Sequence, residues 1–199
     1  NINWVDDTGG DKYDVLYTKN GYDQAKLAAK ETGLKNEYGN PMPANSVRVS
    51  KGTLSESNKF SSIEGVKGLK VGNKKDAKAL FFFTADNFSV EYGLVTGDNN
   101  DFMSILHTSG NPNETATGEV AKHMKDNGLF ILETYHSQPK YKKPSGFYTN
   151  GEVIKPLRDD AKAAKLIKEK INSTVKNYMY HPPSGKMYQF NEKRYVEVR

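Results

Sequence analysis

The chain has 199 residues and a formal charge of +5. It is 36% hydrophobic and 27% charged, and 12 Tyr and 9 Phe give it enough large apolar surface for a core, so disorder throughout is not expected. No run approaches the roughly 18 apolar residues of a membrane helix, and the absence of Cys excludes a disulfide scaffold, a thiolate metal site and a thiol nucleophile. Of the 29 basic residues, 25 are Lys and 4 are Arg, scattered among 24 acidic ones, so a Lys-rich nucleic-acid-binding or nuclease role ranks last among the expectations.

The chain opens on Asn1-Ile2-Asn3-Trp4, without Met or a signal-like apolar segment, which leads us to expect a piece of a longer polypeptide. Residues 1–75 are weakly patterned and are expected to form a loop-rich N-terminal extension or subdomain of unknown role. Within them, 22–30 predicts a short helix with Ala25, Ala28 and Ala29 on one face, and the Gly/Pro cluster at 39–43 breaks regular structure. Residues 50–75, rich in Ser, Gly, Lys and Asn, predict loops with short strands.

From 76 onward the pattern sharpens. Residues 79–84 predict a buried strand, and the alternation of Phe88, Val90, Tyr92 and Leu94 with Ser89, Glu91 and Gly93 predicts a half-buried one. A turn at 97–100 leads to a strand over 102–107. Ala116, Val120 and Met124 then mark a helix that ends at Asn127-Gly128. Residues 129–136 predict a strand, followed by a long Lys/Pro/Gly-rich loop to 158. Asp159 stands at an N-cap position before the stripe Ala161, Ala164, Ile167 and Ile171. Strands over 178–181, 187–190 and 195–198 complete an antiparallel meander. The order predicts an α/β (α+β) domain over 76–199, a mixed β-sheet flanked by helices.

The chemistry centres on His136-Ser137-Gln138-Pro139, which opens a Gly/Pro loop at the end of a buried strand, a place where sheet proteins put reactive groups. The plain alternative is a His that caps the strand end. Glu91, read from its alternation alone, faces solvent. Of the other histidines, His123 and His181 read as surface groups.

Taken together, Val90-Glu91-Tyr92, His136-Ser137-Gln138-Pro139, Pro144-Ser145-Gly146 and the hairpin from Tyr180 to Lys186 resemble the JAB/MPN (JAMM) metalloprotease pattern. The likeness is to the JAB-like toxin domains at the C-termini of bacterial Rhs-type polymorphic toxins, and it covers about 78–190. It implies hydrolysis of peptide or isopeptide bonds by zinc-activated water, with two His and an Asp on the metal. Carried over, Glu91 is the general base, Ser145 the oxyanion-steadying serine, His136 the first metal ligand and Asp159 the acidic ligand, with Asp160 as its alternative.

The chain departs from the pattern at the second ligand, where Gln138 stands in place of His and offers only a neutral carbonyl oxygen. Three readings stay open: an inactivating substitution, a natural pseudoenzyme, or a site completed by another residue, with His107 as the candidate. The resemblance therefore implies a secreted effector acting in a target cell's cytoplasm, with Zn²⁺ weakly held or absent, a protein or peptide substrate and a cognate immunity protein. The alternative is a metal-free module that holds a peptide in the same groove.

Overall fold

A computed structural model describes residues 2–5, 13–18, 46–111, 113, 115–148, 150–156 and 159–199; the helix expected at 22–30 lies outside them. Strands β1 (Ile2–Val5), β2 (Tyr13–Thr18) and β3 (Ser46–Ser50) form an antiparallel sheet in that order. An eight-stranded sheet is built from β4 (Lys59–Phe60), β5 (Lys67–Val71), β6 (Gly93–Asp98), β7 (Phe102–Thr108), β8 (Phe130–Ser137), β9 (Lys176–His181), β10 (Lys186–Phe190) and β11 (Tyr195–Glu197). Its order is β11-β10-β9-β8-β6-β7-β5-β4, and only the β8–β9 pair is parallel. Helices α1 (Lys74–Asn87), α2 (Thr117–Asp126) and α3 (Asp159–Lys170) cover it. The fold is the expected α+β arrangement with a mixed sheet.

Two expectations in the first half are corrected. Residues 79–84 are helix, part of α1. The Asn73 side chain caps it by accepting from the backbone N–H groups of Lys75 and Asp76, and Ala77, Leu80, Phe81 and Thr84 recur at helical spacing on its buried face. The apolar run imitates a strand because Phe83 is buried as well. The strand expected from Phe88 begins only at Gly93. Ahead of it, Glu91 and Tyr92 cross as irregular chain.

Each sheet face has its own core. On one side Leu69, Leu94, Leu106 and Tyr135 pack against Leu80 and Phe81 of α1, together with Leu16 and Val49 of the small sheet. Val95, Ile105 and Ile131 face the opposite way onto Val120, Ala121 and Met124 of α2. Beyond them, Ala164 of α3 packs on Met179, Tyr188 and Phe190. A bulge opposite Thr96/Gly97 puts one extra residue, Leu132, into β8. That residue lets Ile131 share a face with Thr134 and His136 despite the odd spacing. β4 and β5 pair into the main sheet, and Leu16 and Val49 sit in its core.

Candidate active site

β8 carries His136 to the centre of the sheet, where it lies directly opposite Gly93 of β6. The ring is 9% exposed and meets Phe190 of β10 edge-on, with centroids 5.6 Å apart, which fixes its plane. Past the strand, the Gln138 backbone N–H donates to the Tyr180 carbonyl at 2.8 Å and prolongs the pairing with β9 by one step. The Gln138 side chain is thereby buried on the helical face of the sheet.

Glu91 reaches the same place from the other side. Its backbone N–H donates to the Asn111 carbonyl at 3.2 Å, and its own carbonyl accepts from Thr108 Oγ1 at 2.8 Å. Next to it, Tyr92 and Ser137 bond twice: Ser137 N–H to the Tyr92 carbonyl at 2.8 Å and Tyr92 N–H to Ser137 Oγ at 2.9 Å. The segment is thus held between β7 and β8, and Glu91 is 4% exposed, not solvent-facing as its alternation suggested. Its charge acts on His136.

The third wall is the start of α3. Asp160 Oδ1 lies 3.3 Å from His136 Nε2, while Asp160 Oδ2 accepts from Gln138 Nε2 at 3.1 Å, Ser145 N–H at 2.7 Å and Ser145 Oγ at 2.8 Å. Asp159, the residue given the acidic position from the sequence, opens the helix with φ +52° and lines the cavity, but these contacts belong to its neighbour Asp160. The reason is phase: one residue along a helix turns a side chain by about 100°. Ser145 is brought there by a folded-back loop in which Ile154 N–H donates to the Gly146 carbonyl at 2.9 Å.

Glu91, His136, Gln138, Ser145, Asp159 and Asp160 all border one cavity of about 670 Å³. Burial alone would lower the His136 pKa, but the charge and proximity of Asp160, helped by Glu91, outweigh it and hold the imidazole above its ordinary value. Burial alone would likewise raise Asp160; His136 and the two Ser145 bonds hold it below the usual carboxylate value. The 3.3 Å approach of His136 Nε2 to Asp160 misses hydrogen-bond geometry, so that nitrogen and Gln138 Oε1 are both buried without a hydrogen-bond partner. Among the described residues no three His, Cys, Asp or Glu side chains group as a metal site.

The other histidines stand apart. His107 is fully buried, its nitrogens engaged by the Ile105 carbonyl and Thr117 Oγ1, each at 3.2 Å. His181 is not a surface group: it is 4% exposed, with Nδ1 2.7 Å from Ser184 Oγ. His123 is half-buried against the Phe60 ring. Phe190, which steadies His136, gave no signal in the sequence beyond its place in the final meander.

The α+β domain with its mixed sheet fits a JAB-like fold. Residues 69–165 match the family JAB-like toxin 1, so the chain carries a JAB-like toxin domain over that span, which holds Glu91, His136, Gln138, Ser145 and Asp160. No curated protein and no solved structure matches the chain. Among the described residues no helix is long and apolar enough to cross a membrane.

Proposed function

We propose that this toxin domain is a metal-dependent peptide or isopeptide hydrolase of the Rhs-type polymorphic toxins, delivered by a larger secreted protein and blunted in this chain at Gln138. The observation that carries the reading is the pair of buried, unbonded atoms His136 Nε2 and Gln138 Oε1 beside the Asp160 carboxylate. Buried polar atoms without a hydrogen bond are rare because leaving them unsatisfied is costly, and these two, one of them in ion contact with Asp160, fit a divalent cation held by imidazole, carboxylate and amide oxygen. The amide is the weak member for zinc, so binding is weak in this form.

When bound, zinc supplies a Lewis acid and lowers the pKa of a coordinated water. The protein's own residues do the rest. Buried Glu91 takes the water's proton and returns it to the leaving nitrogen. Ser145 orients Asp160 through its two bonds and reaches an oxyanion only after its hydroxyl turns from that carboxylate. Phe190 keeps the His136 ring edge-on. A protein target and a cognate immunity protein belong to the same reading.

A metal-free binding module has its own support: the Gln138 amide N–H satisfies Asp160 directly, so the carboxylate already has a donor supplied by the protein. The two readings part on one comparison, made with this chain and its Gln138→His form. Under the hydrolase reading the variant binds zinc and cleaves peptides from a proteome-derived library, whereas equal zinc affinity in both proteins, with no cleavage, leaves the binder.

A further inference from the structure

Beside the cavity lies a buried hydrogen-bond chain that the proposed chemistry does not use. His107 on β7 faces Gly93 on β6, which in turn faces His136 on β8. The three positions form one row across the sheet on one face, with His107 and His136 about 10 Å apart at twice the strand spacing. Gly93 has no side chain, and the His107 ring fills the space above it. A Cβ at Gly93 would come within 2.2 Å of His107 Nε2 and 2.6 Å of Thr117 Oγ1.

The direction of the chain follows from its inner end. Nδ1 of His107 lies 3.2 Å from the Ile105 carbonyl, which only accepts, so Nδ1 carries the proton. Burial lowers the His107 pKa to about 4, so the ring is neutral and Nε2 is a bare acceptor. Its partner, Thr117 Oγ1 at 3.2 Å, must then donate. With its one proton spent, Thr117 can only accept from Thr115 Oγ1, 2.8 Å away. Thr115 has therefore committed its own proton inward. It lines the cavity with Glu91 and His136, and to that cavity it offers lone pairs.

We infer that Thr115 is a substrate-contacting residue that accepts a hydrogen bond from an N–H group of a peptide laid in the cavity, and that His107, through Thr117, fixes it in the accepting state. Thr115 is the contact and His107 and Thr117 are positioning residues. At about 3.3 Å per residue, an extended peptide covers the distance from His136 to the His107 position in about three residues. The inference rests on the cavity's being a peptide site, and it adds a polarity: donors are taken at this point and acceptor-only groups are refused.

The test uses the intact chain with acetyl-triglycine amide and its fully N-methylated analogue, which keeps the carbonyls and loses the N–H groups. Binding is followed by amide and methyl NMR shifts of the cavity residues. Thr115→Val should lose at least about 10-fold in affinity for the N–H probe, the scale of one hydrogen bond. Thr117→Val, which frees the Thr115 proton, should admit the N-methylated probe and erase the preference of the parent chain for the N–H form. Nitrogen shifts of His107 should report Nδ1–H and unprotonated Nε2 in the parent chain. Equal binding of both probes to the parent, an unchanged preference in Thr117→Val, or a protonated Nε2 would overturn the inference. Binding of neither probe would overturn it together with the peptide-site reading. Retained N–H preference in a chain whose Gln138→His form cleaves nothing would overturn hydrolysis alone.

Discussion

Gln138 donates its amide N–H to Asp160 Oδ2 at 3.1 Å, and the carbonyl oxygen at its other end is buried with no hydrogen-bond partner. The assignment of nitrogen and oxygen is forced, since a carboxylate can only accept. One side chain therefore both occupies the carboxylate and leaves a donor atom unspent. An imidazole at 138 would present a nitrogen lone pair, and Asp160 would keep its Ser145 bonds as orientation. Gln138→His is thus expected to raise zinc affinity by at least about 100-fold, since outer-shell partners alone act on the scale of 10–100-fold. Calorimetry on the two proteins measures it, and affinities within a few-fold of each other would take 138 out of the ligand set.

Ser145 contributes two donors to one oxygen, but only one of them is a side chain. Ser145→Ala removes the hydroxyl and spares the backbone bond, so Asp160 stays in place with one partner fewer. A hydrogen bond to a charged group contributes about 1.5–3 kcal/mol, and the loss should fall at the low end of that range. Urea unfolding checks it. A change below about 0.5 kcal/mol would mean that the hydroxyl is replaceable by solvent.

The His136–Asp160 pair makes the metal-free protein's stability depend on pH in both directions. Asp160 has its pKa depressed on folding, so its contribution is full above the unfolded value of about 4 and is lost as pH falls through the lower folded value. His136 has its pKa raised, so its contribution is full below about 6.5 and is lost as pH rises through the higher folded value. Both terms are present between about pH 4 and 6.5. Urea midpoints for the parent and His136→Gln, measured with chelator from pH 3 to 9, should lie apart between about pH 4 and 6.5 and converge as pH rises through the raised folded value of His136. Parallel profiles would show that His136 is neutral in the folded state.

How much of this is legible in the sequence depends on how local each signal is. The strand ending at His136, the helix after Asp159 and the last three strands announce themselves through periodicity and turn residues close in sequence. α1 does not, because Phe81, Phe82 and Phe83 are adjacent and adjacency hides helical phase; its sequence cue is the Asn73 cap. Asp160 rather than Asp159 depends on helix phase set by an unusual backbone angle at Asp159, which no composition rule supplies. The roles of Thr117 and Gly93 exist only through cross-strand register, joining residues from separate elements.

Gly93 is the sharpest such case. Its missing side chain is required by the His107 ring and Thr117, both buried. Gly93→Ala is expected to destabilise the fold by about 1–3 kcal/mol or more through overpacking, whereas Ala at Gly72, where a Cβ meets nothing within 4 Å, should be close to neutral on this count. Thermal melts of the two variants decide it, and equal losses would mean that the His107 ring does not sit over Gly93.

The last expectation separates chemistry from binding and concerns Glu91. In the Gln138→His background, production in a cell's cytoplasm should slow growth, and adding Glu91→Gln should abolish the effect while zinc stays bound. The division of labour is spatial. Glu91 comes from the segment tied to β7 through Thr108 and Asn111, whereas His136 and Asp160 are held by Phe190 and Ser145. Neutralising the carboxylate therefore leaves the ligand set standing and removes only the proton acceptor, a change that typically costs about 10²–10⁴-fold in rate. Growth curves at matched expression, with zinc content measured on the purified proteins, give the answer. Undiminished toxicity in the Glu91→Gln double variant would mean that harm comes from binding a partner, and the hydrolytic role would fall.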